Sequence, residues 1–104
     1  MAQFDVYPNP NPASRERVPF VVNVQSDLLE QLPSRLVMPL SRVGLGKGAP
    51  RRLARTFEVK GEILALLAHL AAPVDKRLLK KAVASLVAER HEFADAMDAV
   101  LSGI

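Results

Sequence analysis

The run Pro8-Asn9-Pro10-Asn11-Pro12 constrains this chain more than any other feature. Each proline fixes its own φ and removes an amide donor, so no regular ladder passes through the segment. It is a loop, and the residues on either side belong to separate elements. Gln3-Phe4-Asp5-Val6-Tyr7 alternates, with Phe4 and Val6 on one face. Phe20-Val21-Val22-Asn23-Val24-Gln25 turns Phe20, Val22 and Val24 inward, and its β-branched content favours a strand. Leu36-Val37-Met38-Pro39-Leu40 sends Leu36, Met38 and Leu40 to one face, while Pro39, unable to donate to a ladder, marks a strand edge or end. Between these two strands, Ser26-Asp27-Leu28-Leu29-Glu30 is a connection with two apolar residues in its middle. A hairpin follows, Thr56-Phe57-Glu58-Val59 turning at Lys60-Gly61 into Glu62-Ile63-Leu64-Ala65-Leu66-Leu67.

In the last third, Leu79, Val83, Leu86, Arg90, Phe93, Met97, Leu101 and Ile104 step by three or four, which on pattern alone predicts one long amphipathic helix starting near Asp75. From Glu89 onward the pattern is cleanest. Phe93, Met97, Val100 and Leu101 form an apolar stripe, Gly103 is a helix stop, and Ile104 projects beyond it. The acids Glu89, Glu92, Asp95 and Asp98 read as the solvated side of that helix.

At 104 residues the chain forms one domain, because a chain of this size buries roughly 65% of its extended surface, enough for a single core. With 49% hydrophobic and 24% charged residues it folds rather than staying disordered. No cysteine means no disulfide scaffold and no thiolate metal site, so the expected address is the cytoplasm. The N-terminus lacks the basic and then apolar pattern of a signal peptide, and the longest apolar run is far short of the ~20 residues of a membrane span.

Charge is unevenly placed. Arg35, Arg42, Lys47, Arg51, Arg52 and Arg55 occupy residues 35–55 without a single acid. Such a run fits a nucleic-acid patch, an acidic protein partner or a solvated loop. Interleaved aromatics are missing, since none lies between Phe20 and Phe57, which disfavours base stacking. Residues 43–50, with three glycines and a proline, have the composition of a mobile loop. They do not make a phosphate loop. Ser41 stands where that motif's first glycine belongs, and Gly48 follows Lys47 where Ser or Thr is needed. His69 and His91, 22 positions apart, lack metal-ligand spacing, and no activated serine or thiolate is recognisable. An enzyme is the least supported class, and no cofactor is implied.

The order of segments resembles the CcdB family of toxins. Gln3-Phe4-Asp5-Val6-Tyr7, then Val22-Asn23-Val24-Gln25-Ser26-Asp27-Leu28-Leu29, then Arg35-Leu36-Val37-Met38-Pro39-Leu40, and the terminal Ser102-Gly103-Ile104 carry the likeness, which covers nearly the whole length. Residues 41–55 match poorly. The resemblance implies an α+β, mainly β fold: an SH3-like antiparallel five-stranded barrel or sheet, a small additional sheet and one C-terminal helix. It confines that helix to about residues 87–102 and leaves residues 74–79 extended, against the periodicity.

Functionally, the resemblance implies the toxin half of a type II toxin-antitoxin pair, a homodimer that binds the DNA gyrase A subunit and traps the cleaved-DNA complex. The family's contact tip maps to Asp98, Leu101, Ser102, Gly103 and Ile104, with Leu28 and Leu29 as further positions. The best-known plasmid member has tryptophan where this chain has Ser102 and asparagine where it has Asp98. Losing an aromatic anchor from an interface centre costs about 2 kcal/mol, roughly thirtyfold in affinity. Leu101 and Ile104 also fit a plainer role, closing the core or a dimer interface. The family's antitoxin carries an acidic, disordered C-terminal segment, for which Arg51, Arg52 and Arg55 are the proposed contacts. Direct DNA binding is not implied. Two other readings stay open: a homologue inactive on gyrase or retargeted, and a small basic nucleic-acid-binding barrel.

Overall fold

The structure, a computed structural model, describes residues 1–102. Its strands are β1 (Asp5–Pro8), β2 (Phe20–Asn23), β3 (Ser34–Ser41), β4 (Thr56–Val59), β5 (Glu62–Leu66), β6 (Ala72–Asp75) and β7 (Ala84–Ser85), followed by helix α1 (Arg90–Ser102). They form one nearly closed antiparallel sheet in the order β4-β5-β3-β2-β1-β7, with β6 also paired to β3. The mainly β architecture with one C-terminal helix is the expected one. The count differs, since seven strands join one sheet where five and a separate small sheet were expected.

Strand alternation sets the two faces. Val6, Val22, Met38 and Leu40 enter the main core, whereas Tyr7, Val21 and Val37 point to the opposite face and form a smaller cluster with Leu79. The register Val6↔Val22 and Val22↔Met38 keeps like faces together across three strands. The Lys60-Gly61 hairpin forms as expected: both residues have positive φ, 54° and 79°, the type I′ geometry that follows strand twist. The proline-rich loop is ordered by buried Asn9, whose Nδ2 donates to Val18 O at 2.8 Å and whose Oδ1 accepts from Asn11 N at 3.0 Å.

Pro39 does not end a strand. Val24 N donates to Leu36 O, so β3 residues of Leu36's parity turn their backbone toward β2 and Pro39 turns to the other edge. On that edge β6 pairs with residues 34–37 and β5 with residues 40–41, and Pro39 sits at the change of partner. The missing donor falls in the gap. Its carbonyl is still used, accepting from Leu67 N at 3.0 Å.

The long helix from Asp75 does not form either. Asp75 closes β6 and caps a short 3₁₀ turn, Lys76–Leu78, by accepting from Arg77 N at 2.9 Å. Leu79 then enters the smaller cluster, while Leu86 enters the main core on the other face of the sheet. Apolar residues at helical spacing were thus satisfied by two different cores. The helix is confined to Arg90–Ser102, preceded by a 3₁₀ turn at Val87–Glu89, close to the range the resemblance implied.

Helix α1 is anchored by Phe93, buried and stacked on Phe57 with ring centroids 4.6 Å apart and planes within 6°. Phe4 packs against the same ring at 5.2 Å. Phe4 lies in a turn before β1 rather than in the strand, with φ of 71°. That left-handed backbone costs about 1–2 kcal/mol, which burial of the ring and its contact with Phe93 offset.

Candidate partner-binding surfaces

Helix α1 leaves the sheet as it runs toward the C-terminus. Phe93 and Ala96 are fully buried and Met97 is half-buried, but Leu101 is 78% exposed. The stripe seen in the sequence therefore divides into an inner half that belongs to the core and an outer turn that does not. Leu101 does not close the core of its own chain. Asp98 and Ser102 share the exposed turn, and Ser102 Oγ donates back to Asp98 O at 2.7 Å. The other two residues assigned to this tip, Gly103 and Ile104, lie outside the described residues.

Leu28 and Leu29 lie on a 3₁₀ turn, Asp27–Leu29, capped by Ser26, and Leu28 is 93% exposed. The turn is tied to the N-terminal segment by Gln3, whose backbone N donates to Asp27 Oδ1 at 2.9 Å. Gln3 also lines a mainly apolar cavity of about 280 Å³ together with Phe4, Val24, Phe93 and Met97. The cavity's walls thus include the residue bonded to the turn and the helix residue one turn before Leu101.

The basic run is not a solvated loop as a whole. Arg35 is buried and Arg42 pairs with Glu62. Arg52 Nε bonds Asp95 Oδ1 at 2.9 Å, and Arg55 Nη2 holds the other carboxylate oxygen. Weaker approaches join Arg55 to Glu92 at 3.7 Å and Arg52 to Asp98 at 3.9 Å. This corrects the reading of Glu92, Asp95 and Asp98 as merely solvated: they are the internal counter-charge of the basic run. The Asp95 carboxyl is held below its ordinary value chiefly by the hydrogen bond from Arg52; burial opposes this, and the hydrogen bond from Arg55 adds to the lowering. Arg51 and Lys47 remain exposed, with no ion pair among the described residues.

A second basic surface went unremarked in the sequence reading. Lys76, Arg77, Lys80 and Lys81 fall within six positions, and of these only Arg77 forms an ion pair among the described residues, with Asp75. Asp75 is pulled down to about 2 by that side chain and by the Arg77 backbone amide. Four cations in so short a window was the available signal. The two histidines are both exposed, and no cluster of three or more metal-ligating side chains occurs among the described residues.

Fold and surface together define a small, mainly β barrel protein that presents apolar side chains on a helix end and on a capped turn. The model of the CcdB protein family matches residues 3–103, and the chain belongs to the CcdB family. It is thereby, in general terms, a toxin of the toxin-antitoxin, gyrase-poison kind, a family whose toxins are not enzymes. No curated protein matches the chain. No helix among the described residues is long and apolar enough to cross a membrane.

Proposed function

We propose that this protein, as a cytoplasmic homodimer, binds the A subunit of DNA gyrase and holds the enzyme in its cleaved-DNA state. No bond is made or broken by the toxin. A ligand that prefers the opened gate shifts the enzyme's population toward it, and a two-fold dimer suits a two-fold target. The observation that carries this reading is the 78% exposure of Leu101 at the end of a helix whose inner half is buried, in a chain of this family. Folding gains nothing from an exposed leucine there, while a partner gains an apolar anchor. Asp98, Leu101, Ser102, Gly103 and Ile104 are the proposed contact, with Leu28 and Leu29 as further positions.

Neutralisation is assigned to a CcdA-like antitoxin whose acidic, disordered segment folds onto the toxin. Arg51 offers an exposed charge to it. Arg52 and Arg55 serve by exchanging Asp95 for carboxylates of the antitoxin, so that binding replaces an internal ion pair rather than filling an empty site. Direct DNA contacts are not assigned.

Purified gyrase tests the proposal. Full-length protein is expected to accumulate linear, cleaved DNA, and a version lacking Gly103 and Ile104 is not. No cleavage by either, from a folded dimer, favours the second reading: a retargeted or inactive member. Ser102 supports that reading, because its hydroxyl is turned back on Asp98 O where the plasmid relative offers an indole.

A further inference from the structure

Arg35 is only 4% exposed, yet no carboxylate pairs with it among the described residues. Its guanidinium instead donates to three backbone carbonyls of one surface loop: Nη1 to Leu32 O at 2.7 Å and Ser34 O at 2.8 Å, and Nη2 to Glu30 O at 2.6 Å. Gln25 completes the grip. Its Nε2 donates to Leu29 O at 3.2 Å and Ser34 O at 3.1 Å, and its Oε1 accepts from Leu36 N at 2.9 Å. Five side-chain donor contacts therefore converge on the carbonyls of residues 29–34, a stretch that includes no strand except its last residue.

What this grip holds is apolar and exposed. Leu28 is 93%, Leu29 48% and Leu32 46% exposed. Burying a guanidinium without a counter-ion costs desolvation, and a solvated loop has no need of that expense. Exposed leucines on a loop that a buried cation holds in shape fit an edge built to meet a partner, since a pre-formed loop avoids the ordering cost on binding.

We propose that Arg35 and Gln25 are positioning residues that pre-form the Leu28, Leu29 and Leu32 edge for docking. The proposal rests on the reading that this turn meets the gyrase A subunit. The planar fork is essential to it: lysine keeps the charge but offers one nitrogen where Nη1 and Nη2 divide the three carbonyls between them.

The test combines a double-mutant cycle with amide exchange, using the full chain and the gyrase A subunit. Arg35→Lys should speed exchange at residues 28–32 without changing that of β2 and β3. It should also weaken gyrase binding about tenfold, as the share of chains with a competent loop falls. In a Leu28→Ala, Leu29→Ala background the same substitution should cause no further loss. An equal loss in both backgrounds, or unchanged loop exchange, would overturn the proposal. If Arg35→Lys does not fold, Gln25→Leu, which leaves the guanidinium in place, takes its part with the same expectations, except that the Leu36 amide, which loses Gln25 Oε1 as its acceptor, also exchanges faster. Absence of gyrase binding by the unsubstituted chain would sink the target reading instead. Loop exchange in the free protein then decides the grip alone: faster at residues 28–32 upholds it, unchanged overturns it.

Discussion

Arg52 Nε donates to Asp95 Oδ1 at 2.9 Å across 43 positions of sequence, which ties the glycine-rich basic segment to the middle of helix α1. The contact joins the segment assigned to the antitoxin with the helix assigned to gyrase. It also has a pH signature. Asp95 is depressed in the folded state, so at acid pH the unfolded chain takes up its proton first. The contribution is complete above the ordinary Asp value of 3.8 and is lost as the pH falls through the lowered one. Asp95→Asn should lower the melting temperature at neutral pH and flatten its decline between about pH 5 and pH 3. Melting curves across that range check it; parallel declines for both proteins would mean the pair contributes nothing.

Phe93 is the side chain on which the helix depends. It stacks on Phe57, meets Phe4 and is fully buried. Phe93→Ala should destabilise the protein by about 3–5 kcal/mol through lost burial and the cavity left behind. Urea unfolding measures this, and a loss under about 1 kcal/mol would contradict the packing.

Leu101 should behave in the opposite way. Being exposed, it can become Asp with a change in stability within about 0.5 kcal/mol. The same substitution should abolish DNA cleavage in the gyrase assay. A variant that melts normally and still traps cleaved DNA would remove Leu101 from the contact.

Arg51, Arg52 and Arg55 differ in what they should cost. Arg51→Gln is expected to slow antitoxin association and weaken its salt dependence while leaving the melting temperature alone, because its side chain is exposed and makes no ion pair among the described residues. Arg52→Gln and Arg55→Gln should lower both stability and association. If all three together leave the association rate and its salt dependence unchanged, the antitoxin docks elsewhere, and Lys80 and Lys81 are the next cations to replace.

Much of this was legible along the chain. The alternating faces of β1 to β3 and the Lys60-Gly61 turn depend on period and local φ preference, which neighbouring residues carry by themselves. The apolar stripe of Phe93 and Met97 was equally plain, and the ordered motifs from Gln3 to Ile104 pointed to the family. What misled was also local. Helical spacing at Leu79 and Leu86 looked like one stripe, and Pro39 looked like a strand end.

The residues by themselves determined the class: a mainly β chain with a C-terminal helix of the CcdB kind. Only the tertiary structure decided that Leu79 and Leu86 serve opposite faces, that Pro39 is tolerated where β3 changes partners, and that Arg52 and Arg55 are answered by Asp95. It alone brought Arg35 onto the carbonyls of Glu30, Leu32 and Ser34, in the stretch that follows the Leu28–Leu29 turn. The reason is physical: period and turn chemistry act over a few residues, whereas sheet edges and charge partners are fixed by how distant segments pack.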